Sequence, residues 1–546
     1  MESKETSERE PLLSKEAAHA LNVNDDSDTE EEDLRKKEKT LTLSQVVKQK
    51  AQGRKKALTG PLVLAMFAAV IGCSFQVGYA TGVLNEPQNV LKEFINATWC
   101  ERYHSSIHPD VLLILWSVIV SIFCAGGMVG GFAAGYLANH IGRKNAMMII
   151  NIISVAAIGL QAGAKYAKSF EMIIVGRFLI GVHSGLSTGV APMYLNEIAP
   201  LTLRGAMGTI NQLFIVLGMV TSQVLGLKEI LGTDDLYPYL LGAPAVAAVL
   251  QLVLLPMCPA SPRYLLLNKH QEEKARKALM WFRHTVVAKS VEHEIVEMKN
   301  EHERNKHLPK VTVCQLFRDP MLREPLMIAL VANISQQLSG INAVTYYSIM
   351  IYEQAGLNDT DASYATVGMG GIMFVMTGIS AVLVDRAGRR TLHLVGLGGM
   401  CIFTVVMTIS FVYSDPLNPQ KEWISYISIV GMISFTIFFS VGPGSIPWFL
   451  TVELFAQNAR SAASSLATPC NWAANFMVGL LYPIMQKNLQ DYSFLPFTGL
   501  LALFWLFTYI KLPETKGQTA HDMCLLFESR VSGKPINELR ERDIKA

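Results

Sequence analysis

The chain has 546 residues, half of them hydrophobic by count and only 17% charged, against roughly 25% charged in an ordinary soluble domain. Its 47 Lys and Arg and 45 Asp and Glu leave a net charge of +2, which excludes the basic surface of a nucleic-acid-binding protein. A mean hydropathy of +0.29 leaves too little polar surface to coat a soluble protein of this size, excludes disorder of the bulk, and points to a polytopic membrane protein.

The tail 1–56 carries the acidic run Asp25–Asp33 and reads as disordered and cytosolic. Within it, Glu8, Leu12 and Leu13 have the acidic-plus-dileucine spacing of a sorting signal, which would engage a sorting adaptor; the alternative is a chance match. A spanning helix needs about 20 mainly apolar residues. That window gives spans near 61–83, 111–137, 145–163, 171–194, 205–227 and 238–257. The segment 258–324 mixes charge at helical spacing and reads as short interfacial helices linking two bundles. Further spans follow near 325–351, 364–384, 392–413, 423–450, 461–485 and 492–511, and a tail, 512–546. The expected fold is therefore an all-α membrane protein of twelve transmembrane helices in two six-helix bundles, 57–257 and 325–511.

Lys and Arg cluster before span 1, between spans 2 and 3, between spans 8 and 9, and through 258–324. All lie on one side if both termini are cytosolic, as the positive-inside rule requires. The loop 84–110 then faces outward and carries the sequon Asn96-Ala97-Thr98, a glycosylation acceptor. A second sequon begins at Asn358, and a third, at Asn333, would be buried in span 7. The eight cysteines form no framework, and no Cys/His cluster has metal-ligand spacing, so neither a disulfide nor a metal is expected. No nucleophile–base pair or Gly-rich phosphate loop suggests an enzyme or a cofactor.

The two halves repeat each other. Asn139 before Gly142-Arg143-Lys144 answers Asp385 before Gly388-Arg389-Arg390, an offset of 246 (385 − 139). Glu197 and Arg204 answer Glu453 and Arg460, an offset of 256 (453 − 197). Pro259-Ala260 answers Pro513-Glu514. Duplicated halves of this kind place a substrate site at their interface near the bilayer midplane.

Gln76-Val-Gly78-Tyr79, Gly176-Arg177-Phe178, Gln336-Gln337-Leu-Ser-Gly340-Ile-Asn342, Gly442-Pro-Gly-Ser-Ile-Pro447-Trp448 and Pro513-Glu514-Thr-Lys516-Gly517 together resemble the sugar porter family of the major facilitator superfamily. Within it the chain is most similar to animal facilitative hexose transporters, over about residues 60–520. Independently, carboxamides inside spans are costly unless satisfied, and they both donate and accept, which suits a neutral polyol. Gln212, Gln336, Gln337, Asn342, Asn471 and Asn475 are such groups, although Gln337 and Asn342 cannot share one face of a continuous helix with the others. Trp448 and Trp472 offer flat apolar faces and an indole donor. The resemblance implies sugar contact for Gln212, Gln336, Gln337, Asn342, Trp448, Trp472 and Asn475; otherwise these amides are interhelical glue and the indoles packing.

The resemblance also implies a conformational switch in Arg143, Glu197, Arg204, Asp385, Arg389, Arg390, Glu453, Arg460 and Glu514, whose ion pairs would hold the halves closed on the cytosolic side. His140 and Ala260 stand where relatives usually carry Arg and Glu, which should weaken the lock of the first half. Met373, Ser440 and Asn333-Ile334-Ser335 depart from the glucose pattern, whereas Trp448 keeps it, so selectivity among glucose, fructose and galactose stays open. The expected activity is facilitative uniport of a hexose, glucose first, across the plasma membrane. The alternatives are a proton-coupled symporter, a non-transporting sensor, and residence in endosomal or lysosomal membranes.

Overall fold

A backbone inside hydrocarbon must satisfy its own hydrogen bonds, so apolar runs of this length become helices. The computed structural model describes residues 58–200, 203–287, 289–306, 311–413 and 422–545, and among them the secondary structure is helical without a strand. Glu8, Leu12 and Leu13 lie outside the described residues.

The first half comprises α1 (Gly60–Gly72), α2 (Ser74–Gly82), α3 (Gln88–Tyr103), α4 (Pro109–Ile141), α5 (Arg143–Gly163), α6 (Phe170–Ile198), α7 (Arg204–Leu225), α8 (Tyr237–Gly242) and α9 (Pro244–Met257). The linker contains α10 (Glu272–Arg283), α11 (Lys289–Lys306) and α12 (Val313–Arg318). The second half comprises α13 (Pro320–Leu338), α14 (Ile341–Gln354), α15 (Asp359–Ala387), α16 (Arg389–Tyr413), α17 (Glu422–Val441), α18 (Ile446–Glu453), α19 (Gln457–Leu489) and α20 (Leu495–Lys511), followed by α21 (Ala520–Ser532) and α22 (Ile536–Lys545).

Nine spans among the described residues are long and apolar enough to cross a membrane, and the pair α19–α20, bent by 98° at its break, passes the same test together. The pair supplies two arms, and α13 with α14 supplies the twelfth. Spans 7, 11 and 12 are built from these four helices, of which α14 and α20 are short and α13 and α19 carry buried amides. Span 7 is broken at Gly340, whose φ of +94° is one that residues with a Cβ rarely adopt. Span 10 is broken between Val441 and Ile446, leaving carbonyls of Pro443 and Gly444 outside any helix. The loop 84–110 contains α3, whose Leu91, Ile95 and Thr98 are buried.

One buried cluster runs through both halves, from Tyr79, Phe123 and Val216 to Tyr346, Met373 and Trp472. Contacts between halves are made chiefly by α4 with α19 and α7 with α15. A separate small cluster, Leu266, Ala275, Leu279, Val291 and Ile295, holds the linker helices together.

Candidate functional site

The helix break at Gly340 assembles the site. Gln337 and Asn342 are five residues apart, about 140° around a continuous helix. With the chain turned at Gly340, the Asn342 amide donates to Gln337 Oε1. Gln337 Nε2 in turn donates to Asn471 Oδ1 at 2.8 Å and to Gln336 Oε1 at 3.2 Å. Asn471 Nδ2 donates to Gln336 Oε1 at 2.7 Å. Gln336 Nε2 closes the network on the carbonyls of Pro443 (2.9 Å) and Gly444 (2.8 Å), which the break in span 10 leaves free. Three helices, two of them broken, thus meet at four buried carboxamides.

Trp472, next to Asn471 on α19, faces the first half, and Asn475 lies one turn on from Asn471. The Trp472 ring packs edge-to-face on Phe123 at 5.6 Å and lies against Gly127, both on α4. Its indole N–H is buried without a partner. Tyr346 donates to Asn475 Oδ1 at 3.0 Å, and the Cys124 thiol of α4 lies 3.6 Å from the same hydroxyl. Polar groups of both halves therefore converge between α4, α14 and α19. Gln212 and Trp448, both half-buried, stand outside this network on α7 and α18. Those two helices approach each other where Gly208 faces the Phe449 ring. The sequence reading missed Tyr346 and Cys124, and it named Asn471 only as an intramembrane amide. The one local signal for the assembly was Ser339-Gly340 in the middle of an apolar run.

At the end that carries the linker, the duplicated charges form matching clusters. Arg143 pairs with Glu197 at 2.8 Å, and Ser261 donates to the same carboxylate. Arg389 pairs with Glu453 at 3.1 Å, and Thr515 donates to it at 2.5 Å. Each pair lies within one half, so in this conformation neither is a lock between halves. The reason is local: Arg143 and Arg389 also donate to Ala138 O and Val384 O of the helix preceding their own, which anchors them in place. Arg460 likewise donates to Phe455 O at 2.9 Å. Glu514 accepts from the backbone N–H groups of Arg389 and Arg390 at 2.8 and 3.2 Å, capping α16, and the Arg390 guanidinium donates to Tyr509 O. Ala260, its counterpart, offers α5 no such cap. His140 is exposed, with its ring on Tyr136 at 4.2 Å. The side chains of Arg204 and Asp385 lie outside the described residues. A bridge the sequence did not suggest is Glu301 of α11, which accepts from Arg263 at 3.0 Å and from Gln457 of α19 at 3.1 Å.

At the opposite end, polar contacts do join the halves. Asn85 donates to Ser348, Lys487 pairs with Asp110, Lys228 pairs with Asp359, and Tyr364 donates to Glu229 at 3.3 Å. Asn96 lies at this end, half-buried on α3, with its Oδ1 accepting from Ile107 N at 3.2 Å.

A family model described as "Sugar (and other) transporter" matches residues 64–527. The chain belongs to this family. It is 47% identical over 470 residues to the facilitated glucose transporter member 1 of solute carrier family 2 from Gallus gallus, covering 86% of this chain and 94% of the relative. Member 3 from Ovis aries is 46% identical over 474 residues, covering 87% and 94%. Among solved structures, the proton:xylose symporter XylE bound to 6-bromo-6-deoxy-D-glucose superposes with a TM-score of 0.68 at 23% identity, covering 85% of this chain and 99% of that one. An inward-open form of XylE from E. coli gives the same TM-score and coverage. The fold is thus the major facilitator fold, and the protein is a multi-pass membrane protein.

Proposed function

We propose that this chain is a facilitative transporter of a hexose, glucose first, working by alternating access between its two halves. The observation that carries the reading is the buried carboxamide network between broken helices, combined with 46–47% identity to facilitated glucose transporters over most of the chain. A hexose hydroxyl both donates and accepts, so it can replace any one bond of a carboxamide network without stranding a charge. In this reading Gln336, Gln337, Asn342 and Asn475 hold hydroxyls, Trp472 offers its free indole N–H, and Gln212 and Trp448 complete the site when the halves close around sugar. The partner-free Trp472 N–H supports this, because a buried donor left unpaired costs about 1–3 kcal/mol that a ligand can recover.

The same reading assigns the Arg143–Glu197 and Arg389–Glu453 clusters, with Arg204, Asp385, Arg390, Arg460 and Glu514, to a switch that is rearranged as the halves rock. It puts both termini and the linker in the cytosol, Asn96 on the outer face as a glycosylation acceptor, and the protein in the plasma membrane, with Glu8, Leu12 and Leu13 available to a sorting adaptor. Uptake of radiolabelled glucose into reconstituted vesicles, with fructose, galactose and other sugars as competitors, tests the substrate. Absence of hexose-specific uptake would refute the reading.

A further inference from the structure

Glu86 occupies the turn between α2 and α3, at the end where polar contacts join the halves. Both of its carboxylate oxygens are buried and lack a well-formed hydrogen bond. Its methylenes pack against Gly226, at the C-terminus of α7 in its own half. From the other half, α15 presents Ser363, whose hydroxyl approaches the carboxyl group, and Asp359, whose charge opposes it. The neighbouring Asn85 amide is committed to Ser348 on α14. Two lysines of this end are engaged elsewhere: Lys228 with Asp359, and Lys92 over the Trp116 ring at 5.5 Å. Glu353, at the end of α14, and Glu229, beyond α7, add further negative charge to the same region.

We propose that Glu86 is a proton-sensitive latch: closing the halves at this end requires its carboxyl group to be neutral. A carboxylate sealed between apolar packing and another acid carries a desolvation cost that water relieves when the end opens. Burial accordingly pushes this carboxyl up to about 8 in the closed form, with Asp359 adding to the shift. In the open form, hydrated, it returns toward the ordinary value of 4.5. The closed state therefore binds the proton more tightly. Closure is unhindered below the open-state value, weakens as pH rises through the window from 4.5 to about 8, and bears the full cost above it. One proton linked to one conformational step changes the closed-to-open ratio by at most about tenfold per pH unit. The latch sits at one end of the molecule, so the proton enters and leaves on the same side. It regulates the conformational cycle and moves no net proton.

This inference rests on the reading that the halves alternate, and its test separates the two. Spin labels at Tyr103 and Tyr492, exposed on either side of this end, report the separation of the halves in full-length protein in vesicles. The population with the longer distance is expected to grow between pH 6 and pH 8.5, and Glu86→Gln, which keeps the shape and removes the charge, should hold the short distance at both. Glu86→Ala should be equally indifferent to pH. A wild-type distance distribution that ignores pH, or a Glu86→Gln distribution that follows pH as the wild type does, would overturn the latch. A pH-insensitive distribution that still responds to saturating glucose would leave alternating access standing without the latch; one that responds to neither would remove both.

Discussion

Replacing Gln337 with Ala removes the centre of the carboxamide network. Its amide makes three bonds, to Gln336, to Asn471 and from Asn342. Truncation strands the Asn342 N–H and one acceptor site of Asn471 in a buried setting, at about 1–3 kcal/mol for each group left unsatisfied. The hexose itself loses one or two bonds of about 0.5–1.5 kcal/mol each. If half of the combined deficit falls on binding, affinity drops roughly ten- to a thousandfold, since about 1.4 kcal/mol is a factor of ten. The assay is concentration-dependent uptake in vesicles, normalised to the amount of folded protein. Gln251→Ala provides the contrast, because Gln251 donates to the carbonyls of Ala68 and Ala69 within the first half, away from the network. It should lower the folded yield while leaving KM unchanged. Normal KM and rate in Gln337→Ala at normal abundance, repeated in Asn342→Ala, would reduce the amides to interhelical glue and refute the site.

Ala260→Glu should cap α5 as Glu514 caps α16, adding about 0.3–1 kcal/mol to the packing of the first half at the linker end. Reduced accessibility of that end to a thiol reagent would register it, and unchanged labelling would remove Ala260 from the switch. Gly340→Ala forces a Cβ onto a backbone with φ of +94° and to within 3.0 Å of the Phe497 ring. It should cost at least about 1 kcal/mol, seen as a lower melting temperature together with loss of uptake, because the same bend brings Asn342 to Gln337.

The spans were legible because hydrocarbon tolerates few alternatives. Span 2, read as 111–137, is Pro109–Ile141, and span 9, read as 392–413, is Arg389–Tyr413. The duplication was legible for a related reason: Arg143 and Arg389, Glu197 and Glu453, and Ser261 and Thr515 occupy equivalent places in sequence and in space. The meeting of Gln337 with Asn342 was not, since hydrophobic periodicity assumes a continuous helix and a single glycine in an apolar run does not announce a bend. Nor was α3, whose buried face follows a sequence too polar to stand out among spans. The pairing of switch charges within halves depended on distances between helices, which charge spacing along one chain does not encode.

The central claim is facilitated, uncoupled transport. Arg177, fully buried on α6, donates to the backbone carbonyl of Ala80 at 2.6 Å and stands over the Phe123 ring at 4.7 Å, so position 80 offers it a carbonyl and no titratable acid. His183, an intramembrane imidazole, lies 3.2 Å from Gly72 O and 3.4 Å from Ser187 Oγ, a packing role beside the break in span 1, and His393 is a second imidazole buried in a span, on α16. The measurement that tests the claim most directly is uptake of a non-metabolised hexose by sealed vesicles holding this protein, with and without an inward proton gradient. The hexose should enter saturably and stop at the outside concentration in both conditions. Accumulation above that level, collapsed by a protonophore, would contradict uniport and direct attention to His183.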